Sequence, residues 1–219
     1  MPNKNLRLLM GKPLMGYTIE QAKQSGLFEH IVVSTDSEEI AEVAKSFGAE
    51  AWFLRPDNLA TDEAFKLPAI RHALLESEKH YGYEYDVLVD LDVTSPLRLV
   101  KDITNAYDHF ISKAADILIT ASPARKNPYF NMVEIINGRV QIVKRLDKGP
   151  VRRQDAPQVY DMNASIYIWT REALLNCDTL YTDKTALYIM PEERSVDIDT
   201  EWDWKLVEYF TGKPVNTND

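Results

Sequence analysis

Three short apolar runs constrain this chain more than any other feature: "HIVVSTD" (30–36), "YDVLVDLDV" (85–93) and "DILITAS" (116–122). Each is too short for a helix and too uniformly apolar for a strand with one wet side. Each therefore reads as a strand covered on both faces. Between them lie stretches with helical spacing. "SEEIAEVAKSFGA" (37–49) puts Ile40, Val43, Ala44 and Phe47 on one face and stops at Gly48, with Asp36 and Glu39 spaced as a capping box. Further helices are expected over about 64–81 and 100–112, and "AWFLR" (51–55) reads as one more strand. Such alternation predicts an α/β fold in three layers, a mostly parallel sheet with helices on both sides.

The pattern changes after Ser122. "YFNMVEIINGRVQIV" (129–143) reads as a hairpin turning at Asn137-Gly138, and "YDMNASIYIWT" (160–170) as another strand. Residues 128–160 are expected to form a small β-rich lobe inserted within a single domain spanning 1–219. A last helix is expected from Thr200, with Asp203 as capping-box partner, carrying Trp202, Leu206, Tyr209 and Phe210.

The net charge of −9 argues against a nucleic-acid partner, which wants a basic face. The charge is uneven, however. Between Arg125 and Arg153 eight basic residues stand against Glu134 and Asp147, a concentration suited to a small anion or to a solvated face. No run of 18 apolar residues occurs, so no membrane-spanning helix is expected, and "MPNKNLRLLMGKP" carries no signal-peptide core. The single cysteine, Cys177, excludes an internal disulfide and suits a cytoplasmic location. The four histidines are scattered without zinc-ligand spacing.

In open α/β sheets ligands bind beyond the carboxyl ends of the strands. Two acidic pairs are expected there. In "SVDIDTEWDW" an extended backbone turns Asp197 and Asp199 the same way and sends Ile198 into the core. Adjacent carboxylates repel, and a divalent cation relieves them; Mg²⁺ favours a few carboxylates together with water and phosphate oxygens. The alternatives are solvation at a strand end, or Asp199 acting as a helix cap. The second pair, Asp90 and Asp92 in "VLVDLDVTSPLR", has the same spacing. An apolar strand ending in D-x-D-x-T resembles the nucleophile motif of haloacid-dehalogenase-type phosphatases, with Asp90 attacking and Asp92 as acid/base. That motif normally opens its fold near the N-terminus, whereas several βα units precede it here.

Taken together and in order, "PNKNLRLLMGKPLMGYTIEQA", "IVVSTDSEEIAEVAKSFGAE", "RPDNLATDEA", "TSPLR", "NASIYI" and "SVDIDTEWD" resemble the acylneuraminate cytidylyltransferases, which activate sialic-acid-like sugars with CTP. "PARKNPYFNMVEI", "YDMNASIYI" and the "DLD" before "VTSPLR" look most like the bacterial branch acting on legionaminic-acid-type sugars. The resemblance implies attack of the anomeric hydroxyl of a nine-carbon α-keto acid sugar on the α-phosphate of CTP, with CMP-sugar and pyrophosphate as products. It implies Mg²⁺ on Asp197 and Asp199, and Lys4 against phosphate. It implies Lys4, Asn5, Arg55, Asp62 and Ser95 on the nucleotide side, and Asp92, Arg153, Asn163 and Gln158 on the sugar side. Arg98 is expected either to hold the turn or to meet ligand. A homodimer, or a tetramer, is implied, with the small lobe reaching toward the partner. A non-catalytic nucleotide-sugar-binding relative is the further alternative.

The family pattern opens with a strand and a loop of the form "ARGGSKG" ahead of "PNKN". Here Met1 stands where that loop would be ending. The expectation is that the first family strand is missing from this chain, and that the 219-residue form turns over more slowly than one extended at its N-terminus.

Overall fold

The computed structural model describes residues 3–61, 66–146 and 152–212. Its elements run β1 (Leu8–Leu9), β2 (Lys12–Pro13), α1 (Leu14–Ser25), α2 (Glu38–Ser46), α3 (Lys66–Tyr81), β3 (Val87–Leu91), α4 (Val100–Ser112), β4 (Ile117–Pro123), β5 (Val133–Ile136), β6 (Arg139–Ile142), β7 (Tyr160–Met162), β8 (Ile166–Thr170), α5 (Arg171–Asn176), β9 (Thr185–Ile189) and α6 (Glu201–Thr211). The central sheet is ordered β3-β8-β4-β9. β7 follows β8 along the same edge of β4.

The α/β architecture follows the sequence pattern, but the sheet is mixed in direction. β4 and β9 pair parallel, from Ile117↔Thr185 to Ala121↔Ile189. β8 runs antiparallel between β3 and β4. The apolar run of β8 is buried whichever way it points, so composition does not disclose its direction. The expected strand 160–170 is two strands, because Ala164 takes a left-handed φ of 49° and breaks the ladder at Asn163–Ser165. The expected strands at 30–36 and 51–55 are reduced to one parallel bridge, Val32↔Glu50.

Helices cover both sheet faces. On one, Ile103 and Phe110 of α4 pack against Leu118, Ile166 and Ile168. On the other, Leu74 of α3 and Leu174 of α5 pack against Ile117, Ile119 and Trp169. A third cluster joins Leu9 and Leu14 to Ile198, Trp204 and Val207, which fixes α6 near the chain's beginning. Trp204 is thus core, whereas Trp202 is exposed. α1 meets α2 closely: a Cβ on Gly16 would lie 2.7 Å from the Phe47 ring.

Local chemistry sets the boundaries. α2 is capped by Ser37, whose hydroxyl accepts from Ile40 N–H at 3.3 Å, and not by Asp36, since the helix starts one residue later than the Asp36/Glu39 spacing implied. α6 carries the capping box read from the sequence: Thr200 accepts from Asp203 N–H, and the Asp203 carboxylate accepts from Thr200 N–H at 2.7 Å. Asp199 is therefore not the cap. In the β5–β6 hairpin Asn137 and Gly138 both take positive φ, 53° and 73°, as a two-residue turn between right-twisted strands requires. β5 and β6 pair only with each other among the described residues.

Candidate active site

The carboxyl end of β3 opens into a cavity of about 1060 Å³. Its polar mouth is built from four parts of the chain. Lys4 and Asn5 come from the start, Ser34, Thr35 and Arg55 from the α2 region, Asp90, Asp92 and Thr94 from β3 and its turn, and Asp197 and Asp199 from the segment before α6. Asp62 lies outside the described residues.

The turn after β3 is held from within. Thr94 gives both its N–H, at 3.0 Å, and its hydroxyl, at 2.9 Å, to Asp92 Oδ1. Arg98 is buried. Its Nη1 donates to Ser165 O at 2.6 Å, and its Nη2 to Thr18 Oγ1 at 3.2 Å and Gln21 Oε1 at 3.1 Å. Burial pulls the Arg98 guanidinium down to about 10, while Asp92, Asp90, Asp102 and Asp197 support its charge. Every contact of this side chain is internal, so the choice between turn and ligand falls to the turn.

The segment carrying Asp197 is anchored three times. Arg194 pairs with both carboxylate oxygens of fully buried Asp102, at 2.9 and 3.0 Å. Asn163 Nδ2 donates to Ser195 Oγ at 2.9 Å, and Ile198 N–H donates to Thr94 O at 3.0 Å. Ile198 is fully buried. The segment is extended without belonging to a strand, and this is enough to set Asp197 and Asp199 around Ile198. Ser95 donates to Asp197. Burial pushes the Asp197 carboxyl up to about 6; Ser95 and Lys66 oppose the shift, and Asp92 and Asp199 add to it. Asp199 is exposed and receives Lys4 Nζ at 3.3 Å; the same ammonium donates to Ile198 O at 2.9 Å.

Lys66 is the residue that sequence reasoning passed over. It opens α3 and sets its ammonium 2.6 Å from Asp90 and 3.0 Å from Asp92, above the Tyr167 ring. Burial disfavours its charge, but the two carboxylates outweigh burial and hold it well above the ordinary lysine range. Burial likewise works to raise Asp92, and Lys66 with Thr94 brings it below the usual carboxylate range. The available signal was positional: a cation in a helix's first turn opposes the helix dipole, so it calls for an acidic partner.

The remaining candidates are dispersed. Arg55 donates to the Ser34 hydroxyl at 3.2 Å and to the Ser34 carbonyl, and lines the cavity. Asn163 is buried and its amide is engaged by Thr120, Ser195 and the Ser165 N–H. Arg153 and Gln158 line a separate pocket of about 230 Å³ with Arg125 and Asn127, beside the hairpin lobe. No group of three or more His, Cys, Asp or Glu side chains among the described residues is arranged to hold a metal. No helix among the described residues is long and apolar enough to cross a membrane.

Comparison with known proteins adds the context. A CMP-N,N'-diacetyllegionaminic acid synthase of Campylobacter jejuni is 49% identical over 208 residues, 95% of this chain and 88% of that protein. Post-translational flagellin modification protein B of Campylobacter coli is 47% identical over the same shares. A CMP-N,N'-diacetyllegionaminic acid synthase of Legionella pneumophila is 34% identical over 216 residues, 95% of this chain and 89% of that protein. Among solved structures, CMP:2-keto-3-deoxy-manno-octonic acid synthetase complexed with CTP superposes with a TM-score of 0.67 at 15% identity, over 96% of this chain and 92% of that one. The cytidylyltransferase family model matches residues 1–208, which sets aside the phosphatase alternative for Asp90 and Asp92. With acidic and basic side chains gathered at the carboxyl end of β3 and relatives of this identity along almost its whole length, the chain belongs to the cytidylyltransferase family.

Proposed function

We propose that this chain transfers CMP from CTP to the anomeric oxygen of a nine-carbon acidic keto sugar of the legionaminic type. The sugar hydroxyl oxygen bonds to the α-phosphorus as its proton passes to solvent, the bond to the bridging oxygen breaks, and pyrophosphate leaves. The observation that carries this reading is the meeting of Asp197, Asp199, Lys4 and Lys66 at the mouth of one large cavity. Phosphoryl-transfer catalysis is mostly positioning and charge compensation, and these are the groups that supply it.

Two hard carboxylates and no nitrogen or sulfur donor form a set suited to Mg²⁺, completed by water and phosphate oxygens. The raised Asp197 carboxyl and the ammonium already resting on Asp199 mark a place that favours a cation. When bound, the ion would shield triphosphate charge. Asp197 and Asp199 would hold it, Ser95 would orient Asp197, and Lys4 would turn to phosphate. Asn5 and Arg55 would face the nucleotide. Asp92 and Asn163 would face the sugar.

We place Arg153 and Gln158 on the sugar's carboxylate across a homodimer interface, because within one chain they line the smaller pocket at the lobe. The lobe's exposed Val133, Ile135 and Val140 support a second copy as the partner. The reading places the reaction in the cytoplasm, where CTP is available, and a single cysteine suits that compartment.

The test is pyrophosphate release from CTP with N,N'-diacetyllegionaminic, N-acetylneuraminic and pseudaminic acids, with and without Mg²⁺. The legionaminic sugar is expected to give the highest kcat/KM, and Asp197→Ala with Asp199→Ala to lose more than about 100-fold. Magnesium-dependent turnover that survives the double replacement overturns the assignment.

A further inference from the structure

Asp92 is fixed from several sides. Its N–H donates to Ser165 O at 3.2 Å. Its carbonyl accepts from Thr18 Oγ1 at 3.2 Å and from Arg98 Nη1 at 3.3 Å. Thr94 holds Oδ1 twice, through its N–H and its hydroxyl. These partners belong to the turn itself or to the elements packed on it. Oδ2 is held from another direction, by the Lys66 ammonium of α3 at 3.0 Å.

Lys66 is itself committed. Asp90 and Asp92 share a face of β3, and Asp90 has Tyr167 of β8 as its cross-strand partner, which puts that ring on the same face. The ammonium lies over the ring, 2.6 Å from Asp90 Oδ2 and 3.0 Å from Asp92 Oδ2. Asp90 Oδ2 is buried and has no hydrogen-bond partner elsewhere among the described residues. A Lys66 that left for a phosphate would strand this oxygen, and stranding a buried charged acceptor is costly. Lys4 differs. It meets one exposed carboxylate, Asp199, and a backbone carbonyl, so it can turn away at little cost. Lys66 also stands in the first turn of α3, where the helix dipole disfavours a cation. Its place answers to the two carboxylates and not to its own helix.

Resting on the transferase reading, which turns Asp92 toward the sugar, we infer that Lys66 is a positioning residue for the acceptor sugar and acts through Asp92. It holds that carboxylate in one orientation with its charge compensated, ready to accept from hydroxyl or amide N–H groups of the sugar. An ionised carboxylate only accepts hydrogen bonds, so the matching group on the sugar must be a donor. Burial works against the ionised form of Asp92, and Lys66 with Thr94 outweighs it. Among the cations at the mouth, the two lysines thus divide the work: Lys4 is free to meet phosphate, and Lys66 serves the sugar side.

The test is calorimetric titration with CMP-N,N'-diacetyllegionaminic acid and with CMP, whose difference isolates the sugar. Lys66→Met is expected to weaken the CMP-sugar about tenfold and CMP by less than about twofold, with Lys66→Arg restoring most of the loss. Retained CMP binding shows that each variant is folded. In an Asp92→Asn background Lys66→Met is expected to cost less than about a further twofold, because both changes remove one shared interaction. In turnover the KM for the sugar should rise while that for CTP stays within about twofold. Equal weakening of both ligands, a rise confined to the KM for CTP, or an undiminished loss in the Asp92→Asn background overturns the inference. So does a parent chain that binds the CMP-sugar no more tightly than CMP. A parent that prefers the CMP-sugar but releases no pyrophosphate defeats the transferase reading alone, and the titrations of the variants then decide the role of Lys66.

Discussion

Ser95 donates its hydroxyl to Asp197 Oδ1 across 102 residues of chain, linking the turn after β3 to the segment before α6. Burial raises the Asp197 carboxyl to about 6, and this hydrogen bond is the first of the effects that oppose it. Ser95→Ala is expected to lower kcat/KM about tenfold and to raise the Mg²⁺ concentration for half-maximal pyrophosphate release, with Ser95→Thr retaining most activity. An unchanged magnesium requirement in the alanine variant would assign the hydroxyl to the turn alone.

Lys66 separates two carboxylates that share one face of β3. Its replacement by Met leaves Asp90 and Asp92 facing each other uncompensated. The expected result is a Tm lower by about 2–4 °C, corresponding to roughly 1 kcal/mol in a protein of this size, with Lys66→Arg restoring most of it. Equal losses in Met and Arg variants would point to packing against Tyr167 and not to charge.

The Arg194–Asp102 pair is the most deeply buried ion pair among those described, with Asp102 at 0% exposure. Arg194→Ala strands a buried carboxylate at the start of α4 and is expected to cost about 3–5 kcal/mol in urea unfolding. Replacing both members, with Met for Arg194 and Leu for Asp102, should cost less than the single change. A single change below about 1 kcal/mol would mean that water reaches Asp102.

Asp203 supplies a pH test. Its carboxyl lies below the usual range because Thr200 donates to it, with burial working the other way. A depressed folded-state carboxyl contributes stability above its unfolded value, near 4, and loses that contribution as the pH falls through the folded value. The Tm of the parent chain should therefore drop more steeply below about pH 4 than that of Asp203→Asn. Parallel curves for the two proteins would show that the box contributes no pH-dependent stability.

Ile135 and Val140 are cross-strand partners in the β5–β6 hairpin, and both are largely exposed. Changing both to Asp should shift sedimentation from dimer toward monomer while the Tm at low protein concentration stays within a few degrees. A parent chain that sediments as a monomer at all concentrations would remove the dimer from the proposal.

What the sequence disclosed depends on whether the deciding interaction was local. The helix over 100–112, the Asn137-Gly138 turn and the Thr200/Asp203 box are written in neighbouring residues, and each stands where the sequence put it. Ile198 is in the core as its spacing required. The antiparallel course of β8 was not legible, because direction depends on connections and not on composition. Neither was the left-handed Ala164, a residue type with no special tendency to that conformation. Within the site, Asp90, Asp92, Asp197 and Asp199 announced themselves by spacing. Lys66 and Arg194 did not, since each takes its meaning from a carboxylate far away in the chain.

Arg98 joins the loop after β3 to α1 through Thr18 and Gln21, and to β8 through Ser165. A side chain knotted into three elements cannot shift without breaking several bonds at once. The turn after β3, α1 and β8 are therefore tied into one rigid floor beneath Asp92.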